Sequence, residues 1–314
     1  MSRGRKAEKP TQIPAKGWKD IALRVKDEMA EDHVGLIAAG IAFYTLLAIF
    51  PALTALLAIG GLLVEPSQIV TELQTITEIL PQEVATIILD QAQDVAGSAQ
   101  GGLGLAAVLG LLLALYSASK GVGSLIEGLN VAYDEEETRG FIWLKVITIG
   151  LTLALILGAV VAMTLMVFIP AALAFIEIGP WIQLAVTGAG WLFMLGLLSV
   201  ALAFLYRFGP DRDRAEWRWA TAGSLLACVL WLIATIGFAI YAANFGSYNE
   251  SFGSLGGAIV LLMWLWISAY IVLMGAELNA EMEAQTRCDT TIGEDQPMGQ
   301  RGAEKADTLG EAKA

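Results

Sequence analysis

Charge is scarce in this chain: 16% of its 314 residues are Asp, Glu, Lys or Arg, against 56% hydrophobic. Apolar residues at that proportion, gathered into long blocks, exclude a soluble domain, because no polar surface is left to cover them. Histidine and cysteine are scarcer still, with one His33 and two cysteines, Cys228 and Cys288. That set falls short of the usual ligand count of a zinc site, so no metal site is expected. A thiol inside an apolar run does not pair with one in a polar tail, so no disulfide is expected either. Nucleotide-cradling GxxxxGK[ST] loops and GxSxG serine elbows are absent, which argues against ATP-driven pumping and serine catalysis; neither a cofactor nor an enzymatic activity is expected. The first 33 residues are polar and basic with no apolar core, and show no cleavable signal peptide.

What the chain has is long apolar runs. A bilayer core of roughly 30 Å needs about 20 helical residues, and six stretches qualify: 35–64, 101–119, 141–168, 181–206, 217–243 and 253–276. They are continuously apolar, whereas the strands of a membrane barrel alternate. The expectation is an all-α integral membrane protein, a six-helix transmembrane bundle. It divides into a basic N-terminal segment (1–32), a transmembrane domain (33–284) and a polar, acidic tail (285–314) whose Gly-rich composition reads as disordered.

Lysine and arginine set the orientation. Eight precede the first span, three flank the second connection, four lie in the fourth and four in the tail, leaving none in the first, third and fifth. The positive-inside rule then places both termini in the cytoplasm of a multi-pass protein of the inner, or plasma, membrane. Pro51 interrupts the first span; a hairpin broken there would spoil the charge alternation, so a single tilted or kinked crossing is expected, with Pro51 as hinge or plain kink. In the first external segment Ile69, Leu73, Ile76 and Leu80, then Val84, Ile88 and Val95 after Pro81, repeat at helical spacing and predict two amphipathic helices packed on the protein. Trp18 to Met29 predicts a short amphipathic helix along the cytoplasmic leaflet. Tryptophans 143, 181, 217 and 219 fall at span ends, as interface anchors do.

Polar residues near the inner ends of the spans are the candidates for function. Glu277 and Glu281 share one face of the sixth span, and Asn279 points elsewhere. Lys120 and Asn130 follow the second span and Arg207 the fourth. A carboxylate this close to hydrocarbon is expensive unless paired or facing water, so a partner such as Lys120 or Arg207 is expected. Such a rim either ends a helix, ties helices together, or binds an ion or substrate. Glu277, Asn279, Glu281, Lys120, Arg207, Asn130 and Tyr44 are the candidate coupling or substrate contacts, with Pro51 as hinge. Membrane lipids are the expected partners, pairs of small residues allow a homo-oligomer, and the net charge of −12 disfavours nucleic acid.

The stretches AAGIAFYTLLAIFPALTALLAIGG (38–61), KGVGSLIEGLNVAYDEE (120–136), YRFGPDRDRAEWRWATAGSLLACVLW (206–231) and SYNESFGSLGGAIVLLMWLWISAYIVLMGAELNAE (247–281) resemble the YihY/BrkB family of inner-membrane proteins. The resemblance covers about residues 20–284. It implies a six-span bundle linked to envelope integrity and serum resistance, without a settled molecular activity. Some members carry an old label as a tRNA-processing ribonuclease; this sequence offers that label no nucleophile, metal ligands or basic RNA surface. The expected function is therefore a transporter or lipid-handling permease, the alternative a non-transporting envelope or scaffold protein.

Overall fold

The computed structural model describes residues 3–63, 103–174, 179–244 and 254–313. Among them a short polar helix, α1 (Ala15–Glu31), precedes six long ones: α2 (Val34–Leu63), α3 (Leu103–Ala132), α4 (Phe141–Ala174), α5 (Pro180–Phe208), α6 (Trp217–Asn244) and α7 (Ser254–Glu283). Each of α2 to α7 is long and apolar enough to cross a membrane, so the chain is an all-α membrane bundle with six spanning helices. Helices suit such a chain because they satisfy every backbone group within the segment, which hydrocarbon demands. The two amphipathic helices expected between Glu65 and Gln100 lie outside the described residues.

Contacts divide the chain into two units. The first comprises residues 1–38, 125–233 and 270–314; the second comprises 39–124 and 234–269.

In the second unit α2 continues as one helix through Pro51. α3 comes against it backbone to backbone: a Cβ on Gly110 would lie 3.2 Å from the carbonyl oxygen of Pro51 and 3.1 Å from the Ala55 nitrogen. Tyr44 packs edge-on to Phe43, with centroids 5.5 Å apart, and borders Gly121 of α3. Lys120 lies over the ring of Tyr116, 5.8 Å from its centroid.

In the first unit α4 packs along α5, while Ile142, Trp143, Leu157, Trp181 and Leu192 face outward as lipid-facing residues do. Trp219 does not share that role: it is wholly buried, so the anchor expected at that position is a core residue. α6 crosses α7 with the backbones of Gly223 and Gly275 in close approach. A Cβ on Gly223 would meet the Gly275 carbonyl oxygen at 2.1 Å, and one on Gly275 would meet the Tyr206 hydroxyl at 2.4 Å. Tyr206 uses that hydroxyl to donate to the carbonyl of Val272, 2.7 Å away, joining α5 to α7.

The tail departs from the expected disorder. It is knitted to the N-terminal segment and to the α5–α6 loop. Gln285 donates to the carbonyl of Arg3 at 2.6 Å, Thr286 to that of Ala7 at 2.7 Å, and Arg5 to that of Gly310 at 2.6 Å. Ala215 and Thr291 form an antiparallel bridge. Arg301, almost fully buried, donates to the carbonyls of Gln296, Cys288, Ala306 and Arg287. Composition predicts disorder here because the tail has little apolar surface to bury. Guanidinium groups order it instead, by satisfying backbone oxygens. A one-turn helix, α8 (Glu304–Asp307), sits within it.

Candidate functional site

The last two turns of α7 send their polar side chains in different directions, as helical spacing requires. Asn279 turns to α6. Its side-chain oxygen accepts from the Gly223 amide at 2.7 Å and its side-chain nitrogen donates to the Ala220 carbonyl at 3.2 Å. It is a latch across the glycine crossing, fully buried.

Glu281 turns to α1 and the tail, with one cation for each oxygen. Arg24 Nε donates to Oε2 and Lys305 Nζ to Oε1, the latter at 3.0 Å. Arg24 also donates to the Glu281 carbonyl at 2.9 Å, to Gln285 Oε1 at 2.8 Å and to the Glu311 carbonyl at 2.9 Å, leaving no part of the guanidinium idle. Lys305 additionally reaches Asp134 Oδ2 at 2.8 Å and Glu28 Oε1 at 3.6 Å. Burial works against its charge, but Glu281 and Asp134 outweigh burial and hold the ammonium above the usual lysine range.

Glu277 is the exception. It is fully buried, and among the described residues no donor reaches either of its oxygens. The group it faces is another carboxyl, Asp32, within hydrogen-bonding reach. Asp32 Oδ2 is likewise shielded and without a donor. Asp32 stands in the two-residue link between α1 and α2, beside His33, whose φ of 53° lets the chain turn from one helix to the next. Burial raises the Asp32 carboxyl above its ordinary value, and burial does the same for Glu28. Glu28, Asp32 and Asp134 each turn one carboxylate oxygen to within 4.8 Å of the others. Asp134, at φ 56°, ends α3 in the left-handed conformation that Asp tolerates better than most residues.

A second group lies in the same unit. Arg212, from the α5–α6 loop, makes a two-pronged pair with Glu283, Nη1 to Oε1 at 3.2 Å and Nη2 to Oε2 at 2.6 Å. Thr290 donates to the same carboxylate at 2.8 Å, and the guanidinium stacks 4.7 Å from the Tyr133 ring centroid. Asn130 ties two loops together, donating to Glu137 at 3.0 Å and accepting from the Asp211 amide at 2.8 Å.

Of the residues singled out from sequence, Glu277, Asn279, Glu281, Asn130 and Arg207 belong to the first unit; Lys120, Tyr44 and Pro51 belong to the second. Of the cations expected as partners, Arg207 belongs to the same unit as Glu277 but makes no hydrogen bond to it. Arg207 instead stacks on Trp217, 4.3 Å from the ring centroid, with Nε and Nη1 buried and unbonded. The sequence reading missed Arg24, Glu28, Asp32, Asp134, Arg212 and Lys305. For α1 a signal existed: Asp20, Arg24, Glu28 and Asp32 recur every fourth residue, a charged stripe on one helical face. The helix is expected from sequence along the cytoplasmic leaflet, yet this stripe carries the buried Asp20 and Arg24.

Comparison with known proteins agrees with this architecture. Residues 25–298 match the family described as Virulence factor BrkB. The ribonuclease-like protein YfkH of Bacillus subtilis is 28% identical over 254 residues, covering 77% of this chain and 88% of that protein. A UPF0761 membrane protein of Verminephrobacter eiseniae is 27% identical over 273 residues, 84% of this chain but 62% of the relative. One from Xanthomonas campestris is 32% identical over 180 residues, 57% of this chain and 40% of the relative. Several of the relatives thus extend well beyond the part this chain matches. No solved structure matches the fold. With the family match spanning residues 25–298 and six apolar helices in place, the chain is a polytopic membrane protein and belongs to the BrkB virulence-factor family.

Proposed function

We propose that this protein is a transporter or lipid-handling permease of the cell membrane, with both termini in the cytoplasm, and that the Asp32 and Glu277 carboxyls take up its coupling ion or a positive group of its cargo. The observation that carries the reading is Glu277: a fully buried carboxyl at the end of an apolar helix, with no donor and a second carboxyl in front of it. Removing a carboxyl from water costs several kcal/mol unless a partner offsets it, and the bland solution, a lysine or arginine, is spent a turn away on Glu281. Two facing carboxyls with no cation hydrogen-bonded to them among the described residues favour uptake of one positive guest, as a proton or ion pathway requires.

The alternative is a non-transporting envelope scaffold. The Asn279 latch and the tail's bonding to the N-terminal segment favour it, because both fix this unit in one arrangement. A tRNA-processing ribonuclease, the old label that some family members carry, is disfavoured: Arg24, Arg212, Arg301 and Lys305 are committed to carboxylates and carbonyls rather than presented to a phosphate backbone.

Thermal melting of detergent-purified wild type beside Glu277→Gln, each with and without cations, amphiphiles and lipids, tests the proposal. The expected outcome is that the variant melts at or above the wild-type temperature and loses a ligand-induced shift that wild type shows, since functional carboxyls cost stability. A variant that melts lower, with no ligand shifting either protein, overturns the transport reading in favour of the scaffold.

A further inference from the structure

We propose that Glu28, Asp32 and Asp134 form a binding site for a hard divalent cation, and that the Lys305 ammonium of the protein's own tail competes for it. The three carboxylates come from the last turn of α1, the α1–α2 link and the end of α3, and their nearest oxygens lie within 4.8 Å of one another. An ion bonded to oxygen at about 2.0 to 2.6 Å fits between ligands at that separation. All three donors are carboxylate oxygens, without imidazole or thiolate, which selects Mg²⁺, Ca²⁺ or Mn²⁺ over zinc or copper. The expectation of no metal site from the histidine and cysteine count applies to zinc and does not reach this chemistry.

Acidic residues alone would not make a site; the charge left unmet beside them does. Glu277, wholly buried and reached by no donor, is aimed at Asp32, whose Oδ2 also lacks one. Of the neighbouring cations, Arg24 is engaged with Glu281, Gln285 and two backbone carbonyls, and Lys305 is divided between Glu281 and the cluster's own Asp134 and Glu28. A divalent ion held by Glu28, Asp32 and Asp134 places positive charge beside the Asp32–Glu277 pair, where the nearby cation is Lys305, already shared with Glu281 and Asp134. Access is open, since the Asp134 side chain is 45% exposed and that of Glu28 is 28% exposed.

Lys305 makes the site regulated. It lies 2.8 Å from Asp134 and 3.6 Å from Glu28, so it occupies two of the three ligands. An incoming ion displaces it from both and leaves it on Glu281 alone, loosening one attachment of α8 and the tail. The inference uses the same end of α7 as the transport reading, yet ion binding in detergent is measured without transport, so either can fail alone.

The test uses the full-length protein, stripped with EDTA and titrated with Mn²⁺, free ion being followed by electron paramagnetic resonance and Ca²⁺ added as competitor. Wild type is expected to take up one Mn²⁺ per chain, displaced by Ca²⁺. Lys305→Met should bind about tenfold more tightly, and Asp134→Asn and Glu28→Gln at least about tenfold more weakly, because affinity follows ligand charge. Asn keeps the left-handed conformation at 134, so its loss of binding does not reflect a broken turn. Absence of saturable Mn²⁺ uptake in wild type and Lys305→Met alike overturns the proposal, as does equal uptake by Asp134→Asn. Should Lys305→Met fail to fold, Lys305→Gln takes its place, and the two carboxylate variants against wild type decide alone.

Discussion

Arg212 and Glu283 show what a paired charge does in this protein, by contrast with Glu277. The pair is desolvated on both sides, with side-chain exposures of 2% and 0%, and its two hydrogen bonds are parallel. Breaking such a pair from one side leaves the other charge buried alone, which costs about 3 to 5 kcal/mol, whereas replacing both with apolar groups is often neutral. Arg212→Met should therefore lower the melting temperature strongly, and the double variant Arg212→Met with Glu283→Met should recover most of it. A double variant as unstable as the single one would mean that Arg212 acts through its stacking on Tyr133. Glu137 carries a titratable contribution of the opposite kind, near the surface. Hydrogen bonding from Arg139, at 2.7 Å, holds its carboxyl below the ordinary value of 4.5. A carboxyl lowered by folding contributes stability above its ordinary value and loses it as pH falls through the lowered one. The melting-temperature difference between wild type and Glu137→Gln should thus be constant from neutral pH down to 4.5 and close below it; a difference that grows in acid would refute the pairing.

The α6–α7 crossing is set by the close approach of two glycines, Gly223 and Gly275. With the Gly275 carbonyl 2.1 Å from where a Gly223 Cβ would stand, Gly223→Ala must push the helices apart and pull Asn279 from its two backbone partners. Overpacking of this kind costs about 3 kcal/mol or more where backbone is the obstacle. Gly158→Ala, with nothing within 4 Å of the added carbon, should leave the melting temperature unchanged or raised slightly. Comparing the two variants by melting separates a crossing glycine from a spectator; equal effects would count against the crossing. In sequence, small residues four apart such as Gly158 and Ala162 are legible while the helix facing them is not. The six spans were readable, since each carries its apolar signal in one continuous run and lipid contact demands nothing else. Glu277 and Glu281 were readable as anomalies at the end of such a run. Their partners were not: Asp32 and Arg24 lie more than two hundred residues away on a helix whose charged stripe also suits a membrane surface, and Lys305 lies in a tail with no periodicity. Pairing between remote segments is a tertiary fact, and pattern within a segment does not encode it.

Both ends of the chain meet in one unit, and that constrains the whole molecule. Arg3 and Gln285, Ala7 and Thr286, Arg5 and Gly310, and Asp20 and Lys313 are joined directly, so the N-terminal segment and the tail lie on the same side of any membrane the bundle spans. An even number of crossings follows, in keeping with the six helices long enough to cross. Which side is a matter of charge. The eight basic residues ahead of the first span and the four in or beside the α5–α6 connection favour the cytoplasm, because retention of Lys and Arg in short flanking segments sets orientation. The tail's Ala312 is exposed and can carry a reporter thiol once Cys288 is replaced by serine. Cys228 is buried, so it gives little background. Ala312→Cys in that background should react with a membrane-impermeant maleimide in inverted vesicles and stay unlabelled in intact spheroplasts. The reverse pattern would put the Asp32 and Glu277 carboxyls, with the cation site beside them, at the outer face. The proposed site would then meet external rather than cytoplasmic ions, and its Lys305 competitor would respond to the medium instead of the cell.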